Sequence, residues 1–140
     1  MKKNLIQLVL AGCLLMTTSV YAGTSVIASA SFPADSVTAK QLKRIWLGKK
    51  VKIGGISPKR VDLSKGSGDR KIFYKKIVKK SSSKLKAYWA KVMFKGNSFP
   101  PKTMDDNSSV KEWVNESSKR IGYISSDAVD SSVKVLMTLD

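Results

Sequence analysis

The stretch that decides the fold is Ser64-Lys65-Gly66-Ser67-Gly68-Asp69-Arg70-Lys71-Ile72-Phe73. A short apolar run, Val61-Asp62-Leu63, precedes it, and an amphipathic run from Ile72 to Val78 follows it. This order predicts a strand, a glycine-hinged loop and a helix. The two glycines that flank Ser67 can adopt positive φ angles, which would turn the backbone N–H groups of the loop toward one concavity.

The predicted loop has the chemistry of a small anion pocket. The first turn of the following helix adds unpaired N–H groups and the positive end of the helix dipole, which together suit phosphate or sulfate. The candidate anion-binding residues are Lys65, Gly66, Ser67, Gly68, Asp69 and Arg70. The alternative is purely structural, a helix start with Asp69 or Ser67 as its N-cap, because short Gly-Ser motifs are common by chance.

The N-terminus predicts export. Residues 1–22 combine a basic start, an apolar middle and small residues near Ala22, which is typical of a secretory signal peptide. Cleavage there would leave residues 23–140 as one periplasmic or secreted domain with no membrane-spanning segment. Leu10-Ala11-Gly12-Cys13 also resembles a lipobox, so lipidation of Cys13 is the alternative. We favour the soluble form because the apolar run continues beyond Cys13.

Composition restricts the function. Removal of the signal would leave no cysteine, 24 basic residues and 10 acidic residues, a net charge of +14, and the chain has no histidine. Histidine is the commonest general base and transition-metal ligand, and the carboxylates are scattered, so we expect no enzyme, no cofactor and no metal site. The positive charge favours anionic partners. For an exported protein these are phosphate-like solutes or an envelope polyanion such as lipopolysaccharide, and not nucleic acid.

The sequence of the first half of the domain predicts alternating strands and helices. Residues 24–30 are β-prone, and Thr38 with Gln41 fits a capping box for a helix that buries Leu42, Ile45 and Trp46 and ends at Gly48. Residues 49–59 predict a hairpin-like loop, and residues 60–63 predict the strand that leads into the glycine loop.

The second half continues the alternation. Ser81–Ser83 predict the cap of a helix whose inner face carries Leu85, Tyr88, Trp89 and Val92, ending at Gly96. We expect a loop over residues 97–107, a helix opened by a capping box of Ser109 and Glu112, and strands at residues 121–124 and 133–136. This order predicts an α/β fold, a single three-layer-like domain.

Three motifs resemble the phosphate-binding proteins of ABC transporters. Leu42-Lys43-Arg44-Ile45-Trp46-Leu47-Gly48-Lys49 resembles that family's LxxIFxGK helix end, the Ser67 loop resembles its Ser-Gly-Thr phosphate loop, and Ile121-Gly122-Tyr123 resembles its IGY strand. Their order and spacing agree with the family. The resemblance is closest to small, single-lobe members of the type 2 periplasmic binding-protein superfamily. It implies a solute-binding protein for phosphate or a similar oxyanion that could serve an ABC transporter.

The chain also departs from that family. Leu63 stands where the family has an arginine, and Asp69 stands where it has a threonine. Full receptors have two lobes, whereas this chain has room for about one, so a homodimer or another partner would have to enclose the ligand. These departures support the alternative function, a basic periplasmic interaction or adaptor module that keeps the fold but has lost solute binding.

Overall fold

The computed structural model describes residues 23–140, which form five strands and four α-helices around one sheet. The predictions for residues 1–22 and Cys13 lie outside the described residues. The elements, in chain order, are β1 (Thr24–Ser29), α1 (Ala39–Trp46), β2 (Lys59–Leu63), α2 (Gly68–Phe73), α3 (Ser82–Phe94), β3 (Lys102–Met104), α4 (Asn107–Asn115), β4 (Arg120–Ser125) and β5 (Val133–Leu139). A π-helical turn, Tyr74–Val78, directly continues α2.

The sheet is mixed, with strand order β3-β2-β4-β1-β5. β2 is parallel to both β3 and β4, whereas β1 is antiparallel to β4 and β5. β1 is buried along its whole length because it lies between two neighbours and beneath helices. The parallel strands β2, β3 and β4 therefore all end at the same edge of the sheet, and the loop that begins at Ser64 leaves from that edge.

The predicted start and end of α1 are confirmed. The Thr38 side chain accepts a hydrogen bond from Gln41 N, and the Gln41 side chain accepts one from Thr38 N, so the capping box is complete. Gly48 has a φ of 76°, the left-handed conformation expected of a helix-ending glycine. The buried face of α1 consists of Leu42, Ile45 and Trp46, as the spacing predicts.

An aromatic cluster joins α1, α2 and β4 on one side of the sheet. The Phe73 ring stacks on the Tyr123 ring with their centroids 4.3 Å apart, and the Trp46 centroid lies 4.5 Å from that of Phe73. All three side chains are almost completely buried. This contact fixes α2, and with it the end of the loop, against the end of the sheet.

Two predictions of secondary structure are wrong. The expected loop over 97–107 contains β3, an edge strand that pairs in parallel with β2 and is too short to show a hydrophobic pattern. The predicted capping box of Ser109 and Glu112 is not formed. α4 begins earlier, because the Asp106 carboxylate accepts a hydrogen bond from Ser109 N and acts as the N-cap.

The predicted inner face of α3 is only partly buried. Ser81 caps this helix, as predicted, but Trp89 is its one buried residue, and Leu85, Tyr88 and Val92 are half-buried. No other described element covers the rest of α3.

The helix after the glycine loop also differs from a regular α-helix, since it widens into the π-helical turn from Tyr74. No helix of residues 23–140 has the length and apolar character needed to cross a bilayer.

Gly122 in β4 is required for close packing of α4 on the sheet. A Cβ atom at this position would lie 2.7 Å from Cγ1 of Val110 and 3.2 Å from Cγ1 of Val61. Both valines are fully buried, so neither has free space to move into. The glycine of the IGY motif therefore has a packing role in this fold.

We predict that Gly122→Ala lowers the free energy of unfolding by about 1–3 kcal/mol, because the added methyl group overpacks the contact with α4. Gly66→Ala is the matched control, since a Cβ atom there has nothing within 4 Å. Urea unfolding of both variants checks this. Equal stability of the two variants would contradict the packing role.

Candidate functional site

The glycine loop lies at the carboxyl end of β2, where α2 begins. Ser67 is the N-cap of α2: its Oγ accepts a hydrogen bond from Arg70 N at 3.3 Å, and its carbonyl accepts one from Lys71 N. The N–H groups of Gly68 and Asp69 lie in the first turn of the helix. N–H groups in that turn have no backbone carbonyl acceptor within the helix. Of the two caps that the structural alternative named, Ser67 is the one formed, and Asp69 lies in the first turn of the helix.

The glycines of the loop do not adopt the predicted conformation. Positive φ angles occur at other glycines, and neither Gly66 nor Gly68 has one. The loop reaches the helix through an extended Ser67 with a φ of −70° and a ψ of 130°, so no left-handed residue is needed there. A Cβ atom at either glycine would have nothing within 4 Å, which means that this side of the loop faces open space.

The two charged residues at the start of α2 point to different partners. The Asp69 carboxylate accepts a hydrogen bond from the Thr24 hydroxyl at the start of β1, at 2.5 Å. Arg70 turns toward β2, where its Nη1 donates to the Leu63 carbonyl at 2.9 Å and lies 3.5 Å from Asp62 Oδ2. Arg70 is therefore not an ion-pair partner of Asp69. Lys65 is exposed beside the loop.

A buried carboxylate, Asp62, lies directly behind this loop. Its Oδ1 accepts hydrogen bonds from Trp46 Nε1 at 2.9 Å and from the Tyr123 hydroxyl at 3.0 Å, and its Oδ2 accepts one from the Tyr74 hydroxyl at 2.6 Å. Three hydrogen-bond donors from α1, β4 and the helical segment after the loop, together with the Arg70 guanidinium, therefore surround one carboxylate that is 1% exposed. The network joins α1, β2, β4 and the helical segment after the loop.

Burial and the network shift the pKa values of its members. Burial raises the pKa of the Asp62 carboxyl above its ordinary value, while the hydrogen bond from Tyr74 and the charge of Arg70 oppose this shift. Burial and the nearby Asp62 charge also raise the pKa values of Tyr74 and Tyr123. Both phenols therefore stay protonated and remain donors to the carboxylate at physiological pH.

The loop opens onto a basic groove of about 1090 Å³, between the helical segment 68–78 and α3. Tyr74 and Trp89 contribute aromatic surface to it, and Asp62 is the one acidic residue among its described lining residues. Six lysines line the groove: Lys65, Lys71, Lys75, Lys79, Lys80 and Lys86. Among residues 23–140, none of these six forms an ion pair with a carboxylate.

Sequence reasoning missed Asp62 and its tyrosine partners. One signal was available, because an acidic residue between Val61 and Leu63 in an otherwise apolar strand is expensive to bury unless donors surround it. Tyr74 and Tyr123 lie far apart in sequence, so only the folded structure shows that both contact one carboxylate.

The described residues contain no group of three or more cysteine or acidic side chains able to hold a metal ion.

Comparison with known proteins identifies the fold. No protein-family model matches the sequence, and no curated protein matches it. An ABC-type phosphate transport receptor from Vibrio cholerae matches the structure with a TM-score of 0.63 and 22% identity, over 82% of this chain and 46% of the receptor. A substrate-binding protein of the phosphate ABC transporter type from Clostridium perfringens, solved with bound phosphate, matches with a TM-score of 0.64 and 24% identity, over 81% and 44%.

The likeness confirms the predicted fold class and the family resemblance at the level of the fold. PstS from Borrelia burgdorferi matches in the same way, with a TM-score of 0.58, 14% identity and coverage of 81% of this chain and 46% of that one. This chain spans less than half the length of these binding proteins and corresponds to roughly one of their lobes. It is a single α/β domain with a mixed five-stranded sheet.

We predict that Asp62→Asn lowers the free energy of unfolding by about 3 kcal/mol, because the amide nitrogen cannot accept the hydrogen bond from Tyr74 and the variant leaves Arg70 without its buried counter-charge. The control is Asp35→Asn, which breaks a 3.0 Å ion pair with Lys134 at a position where Asp35 is 96% exposed. That variant should lose little stability. Urea unfolding of both proteins checks the prediction, and similar losses would show that the Asp62 network is unimportant.

Proposed function

We propose that this protein is an exported solute-binding protein for phosphate or a similar oxyanion, with the anion held at the start of α2. The observation that carries the proposal is the open, Ser67-capped loop at the carboxyl end of β2, in a fold shared with phosphate receptors. A bound oxyanion would accept hydrogen bonds from the Gly68 and Asp69 N–H groups and from the Ser67 hydroxyl, whose oxygen already accepts from Arg70 N.

The charges around the loop fit weak binding better than tight binding. Lys65 is free to approach an anion at the loop, whereas Arg70 is held by the Leu63 carbonyl and Asp62 and would act mainly through its charge. The Asp69 carboxylate opposes an anion, although its hydrogen bond from Thr24 draws it toward β1. The site is open to water, where charge interactions are screened, so we expect a Kd on the order of 1 mM.

This proposal predicts that phosphate releases or absorbs heat on binding to the wild-type domain and that Gly68→Asp weakens binding by at least about tenfold, because a second carboxylate would face the anion. Isothermal titration calorimetry with phosphate and sulfate measures both. Gly68 has no positive φ and open space around its Cα, and an acidic residue suits the first turn of a helix, so the variant should remain folded.

Gly68→Asn is the matched control, since it has the same size as Gly68→Asp and no charge. It should bind phosphate more tightly than Gly68→Asp. Absence of heat with the wild-type domain at millimolar phosphate, together with no thermal shift, would reject the solute-binding proposal.

The second candidate function is a basic interaction or adaptor module. Asp69, which places a carboxylate beside the loop, favours it because this charge opposes a bound anion. In that case Gly68→Asp would leave the affinity for a captured envelope partner unchanged. We rank the solute-binding function first because the loop remains open and because Ser67 is in position to donate.

A further inference from the structure

The basic groove beside the loop has more lysine side chains than a single small anion could contact. Its six lysines come from the loop, from the helical segment 68–78, from the turn after it and from α3, so cations line it from more than one element. Lys71 and Lys75 lie one helical turn apart, roughly 6 Å along the axis. Lys86 belongs to α3, across the groove from them.

The positive charge of the groove is not compensated within the described chain. Lys71, Lys75 and Lys86 are exposed and have no carboxylate partner among residues 23–140. The one acidic residue that contributes to the lining, Asp62, is buried and lies 3.5 Å from Arg70, so its charge is largely balanced. A second copy of this chain would bring a charge of the same sign, so charge complementarity argues for an anionic occupant.

We propose that this groove binds an extended ligand that carries several phosphate groups, with successive groups paired to lysines on its two walls. A phosphate group offers several strong acceptor oxygens and at least one negative charge, and lysine binds it as a mobile point charge. Several lysines without a carboxylate partner among residues 23–140 fit such a ligand, whereas one orthophosphate ion would contact only one or two of them. The proposal goes beyond orthophosphate binding at the Ser67 loop and does not depend on it.

Tripolyphosphate is the probe, and its affinity is measured by isothermal titration calorimetry on the domain of residues 23–140 in a buffer of fixed ionic strength. The groove variant carries Lys71→Gln, Lys75→Gln and Lys86→Gln. The control variant carries Lys40→Gln, Lys50→Gln and Lys52→Gln, which removes the same charge from exposed lysines that do not line the groove. We expect about tenfold weaker binding in the groove variant and a change of less than about threefold in the control.

Two results would overturn the proposal. Equal losses in the two variants would mean that only the overall charge of the protein attracts the probe. An affinity of the wild-type protein for tripolyphosphate no higher than that for orthophosphate would mean that the groove adds nothing. Orthophosphate titrations of the same variants distinguish the two sites. If tripolyphosphate binding depends on the groove lysines and orthophosphate does not bind, only the loop site is rejected. If orthophosphate binds and tripolyphosphate binding does not depend on the groove lysines, only the groove proposal is rejected.

Discussion

The structure depends on one buried carboxylate. Asp62 accepts hydrogen bonds from Trp46, Tyr74 and Tyr123 and lies beside Arg70, so α1, the helical segment 68–78 and β4 are all tied to the end of β2. A buried charge without these donors would be unstable, and the donors would be unsatisfied without the carboxylate. The network therefore fixes the direction in which the chain leaves β2, and with it the position of the Ser67 loop.

The same network shapes the electrostatics of the surface above it. Arg70 is drawn toward the sheet, where it balances Asp62 and donates to the Leu63 carbonyl, instead of extending into solvent. The exposed cations beside the loop are then lysines, which are flexible and strongly hydrated. This distribution suits weak, adaptable attraction of anions more than the rigid bidentate recognition that an arginine would give.

The sequence was sufficient to predict the elements with strong local signals. The capping box of Thr38 and Gln41, the left-handed Gly48 and the alternation of strands and helices follow from local chemistry, and all three are present. The strand β3 was missed because three residues show no period, and its pairing with β2 is a long-range contact. The positive φ angles expected at Gly66 and Gly68 are absent because an extended Ser67 already directs the chain into α2.

The candidate site could be predicted only in part. The position of the loop before a helix was readable from sequence, which left Ser67 and Asp69 as alternative caps. The contacts of Asp69 with Thr24 and of Arg70 with Asp62 were not readable, because Thr24 and Asp62 belong to other elements. Sequence spacing gives no information on such contacts. The net positive charge was readable from sequence, but only the fold shows that six of the lysines line one groove.

The most direct test of the central claim, that the start of α2 is an anion site, is a phosphate titration of the ¹⁵N-labelled domain followed by NMR. We expect the amide resonances of Gly68 and Asp69 to shift progressively and saturably, and those of the distant strand β5 to stay unchanged. A titration in which these two amides stay unchanged while phosphate binds elsewhere, or in which no amide responds, would contradict it.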